Sequence, residues 1–378
     1  MRKFHLCALC ASRFGKSDAI LPSSLALPCH ICGGSLSQWR TLVQEALLQA
    51  RGFEWETFSV SSSFKKGVLA REDEVADFSQ PGDYTSMKNS TNSFLAKEIA
   101  ESTGKKNGQR SSDISFSFDF SSGKAKASPQ PLYIHGHYIK LSRQHCQSRW
   151  HCSDCGGRGC PSCKGSGMNY PSVEDEISKA LCPAFGAKEG TLHASGREDV
   201  DVQCLGTGRP FVLEIRNPKK RNAGLAEIER QLSKSNSVRA VGLKTVSKAF
   251  MDAVCNSHFE KEYSALVSAD RPLTAADEKK IESLSGVELR QETPTRVLAR
   301  RSDLERRRTI YRLSASAEKG GKLRLKILAE AGTYIKELIS SDNGRTKPSV
   351  SELLSCKAVC DELDVISIHD FFLQTIDD

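Results

Sequence analysis

His193-Ala194-Ser195-Gly196-Arg197-Glu198-Asp199-Val200-Asp201 leads into Gly206-Thr207-Gly208-Arg209-Pro210-Phe211. Asp199 stands two residues after Arg197 on a glycine-punctuated turn, just ahead of the apolar run Phe211 to Ile215. That placement suits a carboxylate nucleophile held by a cation better than a random surface acid. Asp201 is a competing acid on the same turn, although the Arg-x-Asp spacing favours Asp199.

Working outward, Phe211 to Ile215 reads as a strand. Upstream, Ser172 is a good N-cap with Asp175 three residues on, and Val173, Ile177, Ala180, Leu181 and Phe185 mark one helix face. Downstream, Leu225, Ile228 and Leu232 mark a helix, while Tyr263, Ala265 and Val267 alternate in a strand. Thr274 with Asp277 caps a helix through Leu284. Leu323, Leu325 and Ile327 alternate with basic residues, Ser349 with Glu352 opens a last helix, and Val365 to Ile368 closes as a strand. Helices and strands mix without regular βαβ alternation, so the fold class is α+β.

The first 130 residues read as a smaller α+β domain. Gln38 to Arg51 has helical spacing, and Phe53 to Phe64 is a strand with a serine-rich end. Residues 65 to 92 are polar, with Pro81-Gly82-Asp83 as a turn. Phe94, Leu95, Ile99 and Ala100 give a short helix; Ile114, Phe116, Phe118 and Phe120 alternate as a half-buried strand. Ser121 to Gln130 is rich in Ser, Lys and Pro and reads as a linker. The larger domain, 131 to 378, begins with the apolar strand Leu132 to Leu141.

The chain has 378 residues and a formal net charge of +8, compatible with a polyanion partner. Arginines crowd Arg296 to Arg312, and Arg216, Lys219, Lys220 and Arg221 form a second basic group; such clusters either neutralise phosphates or form a solvated face. No apolar run approaches bilayer length, so no membrane partner is expected. The first thirteen residues lack a hydrophobic signal core; nucleus or cytoplasm is the expected location, with an organelle address left open.

Eight of the fourteen cysteines fall in four Cys-x-x-Cys pairs. Cys7, Cys10, Cys29 and Cys32 can close one tetrahedral shell around zinc, as can Cys152, Cys155, Cys160 and Cys163 on a glycine-rich loop spanning 152 to 163. Four sulfurs leave no open coordination position, so both zinc ions are expected to be structural. No phosphate-cradling glycine loop is present, so no nucleotide cofactor is expected.

The stretch around Asp199 resembles the active-site segment of the archaeal and eukaryotic tRNA pseudouridine synthase 10 family. Glu262-Tyr263-Ser264-Ala265-Leu266-Val267, Thr293-Pro294-Thr295-Arg296-Val297-Leu298-Ala299-Arg300-Arg301, Gly332-Thr333-Tyr334-Ile335-Lys336-Glu337-Leu338 and Gly344-Arg345-Thr346-Lys347-Pro348-Ser349 resemble further family segments, in order. Tyr138 to Arg143 and Gln147 to Trp150 resemble the entry into the catalytic domain.

The resemblance implies a pseudouridine synthase-type mixed sheet with flanking helices, preceded by a zinc-containing, THUMP-like RNA-binding domain. It implies isomerisation of uridine in the tRNA T-arm, at position 54, 55 or both, by a stand-alone enzyme, with monomer as the default. Asp199 would be the catalytic carboxylate, Lys336 would hold it ionised and aimed, and Tyr263 would stack on the uracil. Arg197 would hold the everted nucleotide. Tyr334, Arg296, Arg300, Arg301 and Arg345 would contact RNA, the Thr293 to Arg301 segment as a strand and loop. An isomerisation needs no catalytic cofactor. Whether the carboxylate attacks base or sugar, or takes a sugar proton, stays open. The competing readings are a non-catalytic zinc-dependent RNA-binding protein and a redox or chaperone protein built on the Cys-x-x-Cys pairs.

Overall fold

Apolar residues at every second position build the smaller unit's sheet. The computed structural model describes residues 3–14, 17–79, 84–108 and 112–375. The chain divides into one unit of Met1–Pro131 with 185–187 and 216–222, and a second unit holding the rest.

In the first unit, β1 (Phe4–Leu6) and β2 (Ile20–Pro22) pair in parallel. A four-stranded sheet follows from β3 (Thr57–Ser63), β4 (Lys106–Asn107), β5 (Ile114–Asp119) and β6 (Lys124–Pro129), in the order β4-β3-β5-β6. Helices Trp39–Gln49, Val68–Ser79 and Met87–Thr103 accompany it. Phe58, Phe116 and Phe118 meet Leu42, Leu95 and Ile99 in the core. Ile114, Phe116 and Phe118 point inward as their alternation predicts.

Two sequence expectations need correction here. Residues 68–79, inside the stretch read as polar, form a helix whose buried positions are Val68, Glu72 and Val75. An acid in the middle of the buried stripe hides the period; Glu72 is tolerated there because Arg13 pairs with it. The stretch read as a linker is mostly the edge strand β6, antiparallel to β5. Its Lys and Pro residues are normal edge composition. The Pro81-Gly82-Asp83 turn lies outside the described residues.

The second unit is built from β7 (Leu132–Lys140), β8 (Gly190–Ala194), β9 (Gln203–Ile215), β10 (Val238–Val246), β11 (Lys261–Ala269), β12 (Glu288–Gln291), β13 (Arg306–Glu318), β14 (Lys322–Ala329), β15 (Thr346–Lys347) and β16 (Ala358–Ile368). Their order is β10-β7-β9-β16-β11-β14-β13-β12-β15, with β8 on β9. A parallel pairing of β16 with β9, at Asp364↔Gln203 and Val365↔Cys204, joins two antiparallel blocks into one mixed sheet. Gly206 sits at this seam with φ +56°, and a Cβ there would lie 1.9 Å from the Ile366 carbonyl oxygen.

The expected caps form. Ser172 Oγ accepts from the Asp175 amide at 3.1 Å and starts helix Val173–Leu181. Thr274 and Asp277 make a capping box for helix Ala275–Glu282. Strands β10 and β13 and helix Lys248–Asn256 carry no reading in the sequence above. The Thr293 to Arg301 segment, expected as strand and loop, is a 3-10 turn over Thr295–Arg300. Among the described residues, no helix is long and apolar enough to cross a membrane.

Candidate active site

Strands β8 and β9 are joined by the turn that carries Asp199, and buried polar groups fix that turn from below. Gly196 adopts φ +79°, and a Cβ there would stand 2.9 Å from Arg209 Nη1, so this turn position suits glycine. Glu198 points inward. It accepts from Tyr138 Oη at 2.8 and 2.9 Å and from Arg209 Nε at 2.8 Å. Arg209 Nη1 donates to the Ser195 carbonyl at 2.7 Å, and Gln147 Nε2 to the Gly196 carbonyl at 2.9 Å. Both members of the Glu198–Arg209 pair are 1 % exposed. Burial alone would weaken the Arg209 proton, but the Glu198 charge outweighs it and holds the guanidinium ionised.

Lys140 extends this support beneath Asp199 itself. Its ammonium, fully buried, donates to the carbonyls of Asp199 at 3.0 Å, Val200 at 2.8 Å and His145 at 2.7 Å. Burial lowers the Lys140 pKa, while the Glu198 charge opposes that loss. A cation spent wholly on backbone carbonyls acts on loop geometry. With Glu198 turned into the protein, the next side chain, Asp199, turns into the cleft.

That cleft has a volume near 740 Å³ and is lined by Asp199, Tyr263, Lys261, Arg197, Arg301 and Lys336 among others. Asp199 is 37 % exposed and meets two cations: Arg296 Nη1 at 2.9 Å from Oδ1 and Lys336 Nζ at 3.4 Å from Oδ2. Arg296 is braced from behind, its Nε 2.8 Å from the buried Glu337. Lys336, expected to pair with Asp199, lies closer to Asp201, at 2.8 and 2.9 Å. Burial would raise the Asp201 carboxyl, but the Lys336 hydrogen bond outweighs it and holds that carboxyl below its usual range. Asp201 is 64 % exposed and does not line the cleft.

Tyr263 on β11 is 8 % exposed and belongs to the cleft wall. Burial, offset in part by Arg209, pushes its phenol up to about 12, so it stays protonated near neutrality. Arg197 is exposed on the rim. Tyr334 lines the cleft and accepts from Arg301 Nη1 at 3.1 Å. Arg345 sits elsewhere. It bonds the Thr293 carbonyl at 3.0 and 3.2 Å and pairs with Glu292 at 2.9 Å and with Asp303, tying down the loop that carries Arg296. The Arg300 side chain lies outside the described residues.

The structure thus gathers Asp199, Tyr263, Lys336, Arg197, Arg296, Arg301 and Tyr334 around one cleft. The loop supports Tyr138, Lys140, Gln147, Glu198 and Arg209 have no role in the sequence reading, although all stand in its quoted segments. For Tyr138, Lys140 and Arg209 the signal was polarity inside otherwise apolar strands; Gln147 and Glu198 stand outside strands and carry no such signal. Lys140 ends a strand that is buried at most of its positions.

Each cysteine cluster fits a closed zinc shell. All four sulfurs of Cys7, Cys10, Cys29 and Cys32 lie within 4.8 Å of one another, as do those of Cys152, Cys155, Cys160 and Cys163. Zinc–sulfur bonds of about 2.3 Å in a tetrahedron put sulfurs about 3.8 Å apart. Cys7–Cys32 and Cys152–Cys160 are each 3.8 Å apart, Cys155–Cys163 is 3.9 Å and Cys160–Cys163 is 3.7 Å.

Residues 133–369 match the family model described as Pus10, C-terminal. The chain is 36% identical over 350 residues to the tRNA pseudouridine synthase Pus10 of Korarchaeum cryptofilum, covering 90% of this chain and 92% of that one. It is 34% identical to the Archaeoglobus fulgidus protein of the same name, covering 96% and 99%. The Methanocaldococcus jannaschii protein of that name is 42% identical over 242 residues, covering 64% and 53%. A chain of a solved Cbf5-Nop10-Gar1 complex matches 61% of this chain and 51% of its own length at 17% identity, with a TM-score of 0.34. Matched over residues 133–369 and along nearly the full length of two relatives, this chain belongs to the Pus10 family.

Proposed function

We propose that this chain isomerises uridine to pseudouridine in tRNA, at T-arm position 54, 55 or both, with Asp199 as the reacting carboxylate. The observation that carries this reading is the rigidly supported Asp199, turned into the cleft between Arg296 and Lys336. Family membership supplies the reaction class.

The isomerisation breaks the bond from sugar to N1, turns the base and rejoins it through C5. Arg296 and Lys336 hold the Asp199 carboxylate in place at the cleft. Lys140, Arg209 and Gln147 hold its loop through backbone carbonyls, so little reorganisation accompanies the reaction. The target uridine leaves its stack to reach Asp199. Tyr263 then offers an aromatic face, and Arg197 and Arg301 offer cations at the rim for flanking phosphates. The net change is isomerisation, so the chemistry consumes no cofactor. Zinc at the two cysteine clusters would hold those loops in shape. We assign the first unit to gripping RNA, take the enzyme as a monomer, and place it in the nucleus or cytoplasm.

The test is conversion by the purified full chain on a tRNA transcript, with pseudouridine mapped at single-nucleotide resolution. Conversion confined to position 54 or 55 is the expected result. Tight binding without conversion of any uridine would leave an RNA-binding protein instead.

A further inference from the structure

Lys261 is a buried amine in the cleft that the mechanism above does not use. It stands two residues before Tyr263 on β11, both side chains facing inward. It is 6 % exposed yet lines the cleft together with Asp199 and Tyr263. Its Nζ makes one side-chain hydrogen bond among the described residues, to the Phe259 carbonyl at 2.7 Å. A buried ammonium ordinarily acquires a carboxylate partner or several acceptors. Glu198, which lines the same cleft, is already taken by Tyr138 and Arg209.

Arg209 opposes a charge on Lys261, and the carboxylates of the cleft are paired with other cations. β9 supplies Arg209 and Cys204, β11 supplies Tyr263, and β14 and β16 pair with it through Ala329 and Ile368. The loop supplies Glu198, and the cleft wall supplies Asp199 with Arg296 and Lys336. Asp199 is held by those last two cations.

Resting on the isomerase reading, we propose that Lys261 is the base that removes the uracil C5 proton at the end of the reaction. Once the sugar carbon has bonded to C5, that carbon still carries its original hydrogen, and the ring holds a double bond between N1 and C6. The unprotonated Lys261 amine takes the hydrogen as a proton. The electron pair it leaves forms the C5–C6 double bond, the N1–C6 pair moves onto N1, and N1 gains a proton from solvent or from the new ammonium. Tyr263 remains a phenol and Asp199 is assigned to the earlier step that frees the base from the sugar, which leaves Lys261 as the remaining acceptor in the wall. Burial, reinforced by the Arg209 charge, lowers the Lys261 pKa to about 8, so an unprotonated fraction exists near neutrality.

Single-turnover conversion by the full chain, on tRNA carrying ordinary or C5-deuterated uridine, tests this. Lys261→Met is expected to slow conversion by about a hundredfold or more, the usual worth of a positioned base, and to expose a C5 deuterium isotope effect that the wild type lacks above about pH 8. Lys261→Arg keeps the charge but cannot accept a proton, and is expected to be equally slow. Rate restored by arginine, or a slow methionine variant with no isotope effect, would overturn the proposal. Should both variants melt far below the wild type, the wild-type isotope effect decides. It is expected to emerge as pH falls below about 8, and an effect that stays flat would overturn the assignment. A wild type that converts nothing would defeat the isomerase reading itself.

Discussion

Arg209→Met should separate the stability of the Asp199 loop from its chemistry. Glu198 and Arg209 are each 1 % exposed and joined at 2.8 Å. Removing one partner of such a pair costs about 3–5 kcal/mol, because the other charge stays buried without its counter-ion. The Tyr138 hydroxyl, its one proton shared between both Glu198 oxygens, would remain on Glu198, which argues for the lower end, about 3 kcal/mol. Against a typical total of about 5–15 kcal/mol that is a large fraction, readable as a shifted urea midpoint. The double variant Glu198→Met with Arg209→Met removes both charges and should regain most of the loss. It should not regain activity, because the Ser195 carbonyl has lost its donor and the loop its anchor. The assay pairs urea unfolding with tRNA conversion for both variants. A single variant within about 1 kcal/mol of wild type would refute the reasoning, as would a double variant that recovers full activity.

Other perturbations test other parts of the account. Gly206→Ala should cost well over about 3 kcal/mol or abolish soluble expression, since its Cβ would lie 1.9 Å from the Ile366 oxygen at a positive φ; near-normal urea unfolding would contradict the β9–β16 seam. Cys29→Ser should lower bound zinc from about two to about one per chain by metal analysis and destabilise the first unit; unchanged zinc content would remove that cluster as a metal site. Lys261 binds its proton more weakly folded than unfolded, so stability should rise with pH from about 8 towards the usual lysine value of about 10.4, where the unfolded chain still holds that proton. Urea unfolding across that window should show the rise in wild type, flattened in Lys261→Met.

Much of the site was legible because its parts are local motifs. Asp199, Tyr263 and Lys336 could be picked from short segments, and the caps at Ser172 and Thr274 from spacing alone. What supports Asp199 was not legible, since Lys140, Gln147 and Arg209 act across gaps of 59, 49 and 14 residues through backbone carbonyls. Sequence reading sees side-chain types and not the carbonyls they reach. Arg296 read as an RNA contact from its arginine-rich surroundings, and folding of the 295–300 turn brings it onto Asp199. Lys336 stands between two acids, and only geometry shows that Asp201 is the nearer. Helix Val68–Ser79 was hidden by Glu72, a buried acid whose partner lies 59 residues away. The fold class followed from the order of elements, but the joining of β9 to β16 rests on a long-range pairing that no local pattern encodes.

The most direct measurement is conversion by Asp199→Asn on a tRNA transcript, beside its affinity for the same RNA. The substitution keeps size and one acceptor oxygen while removing the charge between Arg296 and Lys336. The account predicts that pseudouridine formation vanishes while the RNA stays bound. Conversion at the wild-type rate would show that this carboxylate does not do the chemistry.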